Sequence, residues 1–195
     1  AVILAALAYG EWFGMAPCYR EGIRDICLED LQYAAALGYR VKLLAVIKQK
    51  EGDVQIRVHP ALVSRELMLS NVSDVFNAVW VRGDTVGGTL YYGRGAGREA
   101  TASAVVADLI DIGLNLKRDA PSRLAAFRAH KGYRQITPMA EVTVRYYLRL
   151  QAVDRPGVLA KISGILGESD IGIASVTQQE SRQDSVPVVI LTHKA

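Results

Sequence analysis

A glycine-rich segment is the strongest candidate for chemistry in this sequence. Gly93, Gly95 and Gly97 occupy alternate positions between a run that predicts a strand and a run that predicts a helix. Glycines at such a junction let the backbone approach a ligand closely, and the start of a helix offers free N–H groups to an anion. The segment lacks the complete Gly-x-Gly-x-x-Gly pattern of dinucleotide-binding turns, so a tight turn without a ligand is an equal alternative.

A second candidate is a turn near the C-terminal end, which contains Asp154 and Gly157 and is followed by Val158 and Leu159. It separates a predicted strand from a predicted helix, so its backbone N–H groups would lie at a helix start beside a strand edge. The carboxylate of a small amino acid would dock at such a position. The alternative is a purely structural turn in a module that only pairs with a copy of itself.

The remaining reactive side chains predict neither a metal site nor a catalytic group. His59, His130 and His193 are scattered without metal-ligand spacing. Cys18 and Cys27 match no zinc motif and cannot form a disulfide framework, which fits a reducing compartment.

Three carboxylates, Asp25, Glu29 and Asp30, precede or open a predicted helix. Acidic side chains at a helix start interact favourably with the helix dipole. We prefer this interpretation to an acid/base pair.

Composition narrows the possible partners. The 195 residues are 50% hydrophobic and 22% charged, which is sufficient for a folded core. The net charge of +3 argues against a dedicated nucleic-acid surface. The longest apolar run, residues 1–8, is far shorter than the roughly 20 residues of a membrane span.

Because that run resembles the inside of a buried helix, and the chain also stops directly after an apolar strand, we expect a fragment cut at both ends.

Hydrophobic periodicity predicts an α/β (α+β) fold, with a mixed or antiparallel sheet and helices on one face. Pro60 is expected to end the second strand of the first hairpin. Thr101 is expected to cap a helix with Val105, Leu109, Ile112 and Leu116 on one face and Asp108, Asp111 and Asn115 on the other. The predicted elements of this first region are a helix over 28–37, strands over 41–48, 54–59, 76–82 and 87–92, and the helix that starts at Thr101.

The C-terminal region reads as a separate module. Residues 117–141 are basic and contain two prolines, which predicts a linker with one short helix over 123–129. From residue 142 the order is strand, helix, strand, strand, with Pro156 in the first turn of the helix. This order is the first part of a ferredoxin-like βαββαβ unit. We therefore predict domains over 1–116 and 142–195, joined by the linker.

Five motifs in order resemble bacterial homoserine dehydrogenase over residues 1–115. They are Leu-Gly-Tyr-Arg-Val-Lys-Leu-Leu at 37–44, Arg-Val-His-Pro at 57–60, Asn-Ala-Val at 77–79, Tyr-Gly-Arg-Gly-Ala-Gly at 92–97 and Thr-Ala-Ser-Ala-Val-Val-Ala-Asp at 101–108. Residues 146–195 resemble an ACT domain, the regulatory module that many bacterial members carry. The resemblance departs at Glu99 and Ala100, where members often have a proline beside the threonine.

The resemblance implies a cytoplasmic oxidoreductase of threonine and methionine biosynthesis. Members interconvert L-homoserine and L-aspartate 4-semialdehyde with NADP or NAD as cofactor and form homodimers or larger assemblies. By the same resemblance, Gly97 contacts the nicotinamide cofactor, with Gly95 and Ala96 as its neighbours. The chain contains neither the Rossmann pattern nor the family's catalytic lysine. We therefore assign no catalytic residue and expect this fragment to be inactive alone.

The ACT resemblance implies feedback control by an amino acid, with threonine as the expected effector. Asp154, Gly157, Val158 and Leu159 match the effector-binding turn of such modules. Two other functions are open at this point: a non-catalytic amino-acid-binding regulator and a dimerisation scaffold. A truncated module would also leave one edge of its first strand unpaired, which favours self-association.

Overall fold

The computed structural model describes residues 1–50, 52–119, 136–178 and 185–195. The chain forms two compact units, one of Ala1–Asp25 with Ala34–Ile136 and the other of Ile26–Tyr33 with Thr137–Ala195. The predicted helix at 123–129, most of the predicted linker and the turn at 179–184 lie outside the described residues. The helices are α1 (Val2–Tyr9), α2 (Leu28–Ala36), α3 (Arg98–Lys117) and α4 (Val158–Glu168), and the strands are β1 (Tyr19–Arg20), β2 (Tyr39–Lys50), β3 (Asp53–Ser64), β4 (Phe76–Gly83), β5 (Gly87–Arg94), β6 (Tyr147–Val153), β7 (Ile173–Gln178) and β8 (Ser185–Thr192).

The first unit is built on a mixed three-stranded sheet in the order β1-β3-β2. β2 and β3 form the predicted hairpin, which is longer than expected because its antiparallel pairing runs from Tyr39↔Ser64 to Lys50↔Asp53. The hydrophobic core lies between this hairpin and α1, where Ala5 and Val54 are completely buried. The predicted α/β class, with a mixed sheet, is confirmed.

The expectation that Pro60 ends its strand is wrong. β3 continues to Ser64, and Pro60 pairs with Leu43 in the middle of the hairpin. The carbonyl of Val58 accepts a 2.8 Å hydrogen bond from the N–H of Glu21, so the backbone N–H and C=O groups of Val58 point towards the β1 side of β3. The backbone of Pro60, two residues later, points to the same side, beyond the end of the short β1. The missing proline N–H therefore removes no bond to β2.

β4 and β5 form a separate antiparallel ribbon that leads into α3. The helix starts at Arg98 with Gly97 as its N-cap, so the prediction that Thr101 caps it is wrong. Gly97 has a positive φ of 119°, a backbone conformation that glycine adopts without the steric cost of a side chain.

The residues of the predicted apolar face of α3 are not buried in the described part of the chain, since none of the helix's residues is buried there. Leu109 is 62% exposed and Leu116 is 78% exposed. Apolar residues also lie outside the predicted stripe, at Val106, Ile110 and Leu114. A helix with apolar residues on several faces is one that other protein surfaces normally cover.

The second unit contains the predicted strand-helix-strand-strand module, and this order is confirmed. Its antiparallel sheet has the order β6-β8-β7, which makes β6 an edge strand among the described residues. α4 packs on the sheet through Val158, Ile162 and Leu166, against a core that includes the fully buried Ile190. Among the described residues, no helix combines the length and apolar character that crossing a bilayer requires.

Candidate functional site

The glycine segment forms an exposed loop between β5 and α3. Gly95, Ala96 and Gly97 are all exposed, and no side chain from the described residues caps the helix that follows. Gly97 has φ 119° and ψ 146°, a conformation open to glycine and strained for other residues. In the part of the chain that the structure describes, a Cβ at Gly97 would meet no atom within 4 Å. The loop therefore presents bare backbone to its surroundings.

The β4–β5 ribbon holds this loop in place. The N–H of Gly95 donates a 3.2 Å hydrogen bond to the carbonyl of Val75. Any side chain at Gly95 would overlap the amide of Asn77. Gly95 therefore serves close packing, whereas Gly97 provides the unusual backbone angle.

An aromatic stack, absent from the sequence-based expectations, supports the same end of the ribbon. The rings of Phe76 and Tyr92 are parallel, with their centroids 5.0 Å apart. The guanidinium carbon of Arg94 lies 5.9 Å from the centroid of Phe76. The stack could have been predicted from the sequence, because side chains alternate along β4 and β5 and cross-strand neighbours therefore share one face of the ribbon.

The loop fits one part of a nicotinamide-nucleotide site. Its exposed glycine backbone permits close approach by a flat ring, and the N–H groups of the first turn of α3 favour a negative group. The rest of such a site, a Gly-x-Gly-x-x-Gly turn, does not occur in this sequence.

In the second unit, the predicted effector turn lines a cleft of about 400 Å³. The four residues predicted to bind an effector come together there. The complete lining is Ala152, Val153, Asp154, Arg155, Pro156, Gly157, Val158, Leu159, Gln178 and Val188.

The cleft lies at the junction of β6 and α4. Gly157 is the N-cap of α4 in a left-handed conformation, with φ 87°. Pro156 therefore precedes the helix, and the expectation that it lies in the first turn is wrong. The N–H of Arg155 bonds to the carbonyl of Val153 at 3.0 Å, which closes the turn.

Gln178, at the end of β7, is a cleft residue that sequence reasoning missed. Its Nε2 donates a 3.2 Å hydrogen bond to Oδ1 of Asp154. Val188, paired with Gln178, is almost fully buried at the base of the same region. A carboxylate, an amide and a helix start beside apolar side chains can hold a small zwitterion by its ammonium and carboxylate groups. No local signal links residues 178 and 154, because strand pairing brings them together.

Asp30 is the buried charged centre of the second unit. It is 5% exposed. Its Oδ1 accepts hydrogen bonds from the Tyr147 hydroxyl and from Nε of Arg149, both at 2.7 Å. Its Oδ2 accepts from the N–H and the thiol of Cys27, at 3.0 and 3.1 Å. Asp30 thus satisfies the N–H at the start of α2, as half of a capping box, and also binds β6.

These hydrogen bonds shift the pKa values of Asp30, Tyr147 and Cys27. Burial alone would raise the pKa of Asp30, but the hydrogen bonds from Arg149, Cys27 and Tyr147 outweigh it and hold that pKa well below its usual range. Burial and the neighbouring Asp30 carboxylate raise the pKa of Tyr147. Hydrogen bonds with Glu29 and Asp30 raise the pKa of Cys27. Asp30 therefore stays ionised and hydrogen-bonded, which does not suit it to exchange protons as an acid/base catalyst.

The histidines and cysteines do not assemble into a site among the described residues. His59 accepts a 3.0 Å hydrogen bond from Nε of Arg57, and its other ring nitrogen lies 2.8 Å from the carbonyl oxygen of Pro60. His193 packs against Gly172, and His130 lies outside the described residues. Both cysteines are free thiols.

Comparison with known protein families assigns both regions of the chain. The homoserine dehydrogenase family model matches residues 1–110. The ACT domain model matches residues 146–195.

Known proteins match the chain as a whole. Relatives named homoserine dehydrogenase from Pseudomonas aeruginosa and Neisseria gonorrhoeae are 43% and 44% identical over 98% of this chain, which spans 45% of their length. The crystal structure of a homoserine dehydrogenase from Thiobacillus denitrificans has a TM-score of 0.89 and 44% identity, covering all of this chain and 44% of that one. A homoserine dehydrogenase structure from S. aureus has a TM-score of 0.69 and 27% identity, with 46% of that chain covered.

Proposed function

Because this chain belongs to the homoserine dehydrogenase family, we propose that it forms the substrate-side and regulatory part of an NAD(P)-dependent homoserine dehydrogenase. The complete enzyme interconverts L-homoserine and L-aspartate 4-semialdehyde in threonine and methionine biosynthesis. The observation that carries the proposal is the exposed glycine loop at the start of α3, inside the region that matches the family model.

Gly97 contacts the nicotinamide nucleotide, and Gly95 and Ala96 shape the loop that approaches it. Bound NADP or NAD supplies the hydride acceptor or donor. The chain's own contribution is to orient the cofactor and exclude water, since its loop offers backbone groups and no acid or base. The catalytic lysine belongs to a part of the enzyme outside these 195 residues.

An activity assay tests this proposal. A protein that contains this chain together with a nucleotide-binding domain should reduce NADP or NAD when homoserine is added. The 195-residue chain alone should show no such activity. Absence of homoserine oxidation by the longer protein, with both cofactors, would refute the catalytic proposal.

The ACT region is the regulatory part, and threonine is its feedback effector. Asp154 and the N-terminal backbone of α4, around Gly157, hold the ammonium and carboxylate groups, while Val158 and Leu159 contact the side chain. The 400 Å³ cleft supports this assignment because all four residues line it. Calorimetric titration of the 195-residue chain with threonine, isoleucine and methionine tests it, and heat only with threonine is the expected result.

The same cleft favours a second candidate function, a non-catalytic regulator that binds an amino acid. The two candidates differ in one result. Effector binding together with homoserine oxidation by the longer protein supports the enzyme, whereas effector binding without any oxidation supports the regulator.

The partner of this chain is a second copy, in a homodimer or a larger assembly. The exposed apolar surface of the β4–β5 ribbon supports this, with Trp80 53% exposed and Tyr91 63% exposed. Among the described residues β6 is an edge strand, and this edge is a further self-association surface. Sedimentation velocity should show a dimer or larger species, and a monomer at all concentrations would contradict this part. A cytoplasmic location fits the two free thiols.

A further inference from the structure

A segment from within the family-model region belongs structurally to the ACT unit. Residues Ile26–Tyr33 lie inside the 1–110 match, yet they form a compact unit with Thr137–Ala195. The link between them is specific, because the buried Asp30 carboxylate accepts hydrogen bonds from Tyr147 and Arg149.

Both donors are on the strand that leads to the effector cleft. Tyr147, Arg149 and Val153 alternate along β6 and therefore share one face of it. Val153 and its neighbour Ala152 line the cleft. The strand that holds Asp30 at one end thus forms a wall of the cleft at its other end.

Asp30 also controls the start of α2. Its carboxylate accepts the N–H of Cys27, the residue before the helix. If Asp30 left this position, it would break its hydrogen bonds with Tyr147 and Arg149 and leave those donors with fewer partners, so leaving costs free energy.

We propose that Asp30 is a positioning residue that couples the effector cleft to helix α2, with β6 as the connecting element. A ligand that orders the β6 end of the cleft favours the seated Asp30, and a seated Asp30 strengthens ligand binding by the same factor, because such linkage is reciprocal. The proposal deepens the regulatory role above and depends on the cleft binding an amino acid.

The test uses the 195-residue chain with threonine as the probe. Threonine affinity is measured by calorimetry, and backbone hydrogen exchange is followed in residues 28–33. In the wild-type chain, threonine should slow exchange in this segment. Asp30→Asn should weaken threonine binding at least about fivefold, the lower end of ordinary coupling, and abolish the slowing. A purely structural Asp30 would change the free energy of unfolding but leave the threonine affinity of the folded protein unchanged.

Two further variants keep the result interpretable. Asp170→Asn makes the same chemical change at an exposed position of the same unit, away from the cleft, and should behave as wild type. Tyr147→Phe removes one donor and keeps the Arg149 contact, so it should weaken binding by a smaller factor. If Asp30→Asn does not fold, the Tyr147→Phe result decides the question.

The outcomes separate this inference from the proposed effector site. If Asp30→Asn or Tyr147→Phe binds threonine as tightly as wild type, or if threonine binds without changing exchange in residues 28–33, the coupling is refuted and the effector site stands. If threonine, isoleucine and methionine all fail to bind the wild-type chain, the effector site and the coupling are both refuted.

Discussion

The carboxylate of Asp30 lies 2.7 Å from Nε of Arg149, although 119 sequence positions separate the two residues. The carboxylate is nearly buried, and the guanidinium side chain is 30% exposed. Such a pair stabilises a fold only while both partners are present, because removing one leaves a buried charge with fewer donors.

Removing either partner should destabilise the second unit. Asp30→Asn and Arg149→Met should each lower the free energy of unfolding by about 2 kcal/mol, as expected for a hydrogen bond to a charged group. The double variant should cost clearly less than the sum, since both changes remove one shared interaction. Urea unfolding of the four proteins measures this, with the exposed Lys161→Met as the control for loss of a positive charge. Strictly additive effects would show that the pair contributes nothing specific.

Acid should weaken the second unit through the same carboxylate. The pKa of Asp30 is lowered in the folded protein, whereas in the unfolded chain it lies near 3.9. The unfolded state therefore takes up the proton first, so this stabilisation is complete above about pH 5 and is lost as pH falls towards the folded pKa.

Unfolding curves between pH 7 and pH 2 check this expectation. In Asp30→Asn, the free energy of unfolding should change less with pH below about pH 5. Some dependence should persist, because the hydrogen bond with Cys27 also lowers the pKa of Glu29. An unchanged acid limb in Asp30→Asn would contradict the assignment to Asp30.

Replacing Gly97 should damage the cofactor loop. Gly97→Ala forces a side chain into a conformation with φ 119°, which should cost about 2 kcal/mol of stability or be relieved by a changed loop. In a longer, active protein the KM for the nicotinamide cofactor should rise. The control is Gly93→Ala, where the backbone angle is ordinary and an added Cβ meets no atom within 4 Å. Equal cofactor KM values for the two variants would argue against Gly97 as the contact.

The thiol of Cys27 should react slowly with alkylating reagents. Its pKa is raised by hydrogen bonds with Glu29 and Asp30, which reduces the reactive thiolate at neutral pH. Combining Glu29→Gln with Asp30→Asn should accelerate iodoacetamide labelling of Cys27, followed by peptide mass spectrometry. Cys18, whose pKa is raised mainly by burial in the first unit, serves as the internal reference and should label at an unchanged rate. No acceleration at Cys27 would show that these hydrogen bonds do not control its reactivity.

Local sequence determined the elements of this protein. Alternating and helical periodicities predicted the β2–β3 hairpin, the β4–β5 ribbon and the strand-helix-strand-strand order of the second unit, because these patterns reflect which face of each element meets the core. The glycine loop and the turn at Asp154 were also predicted, since glycine and proline constrain the backbone locally.

Only the tertiary structure decided which distant side chains meet. The sequence pattern indicates a helix-dipole role for Asp30, whereas its hydrogen bonds with Tyr147 and Arg149 on β6 arise only from the fold. Strand pairing brings Gln178 close to Asp154. Pro60 fits within β3 because β1 ends before it, so its missing N–H has no strand partner on that side. Periodicity specifies the face on which a side chain lies, but the partner across that face depends on packing between segments far apart in the chain, which no local spacing encodes.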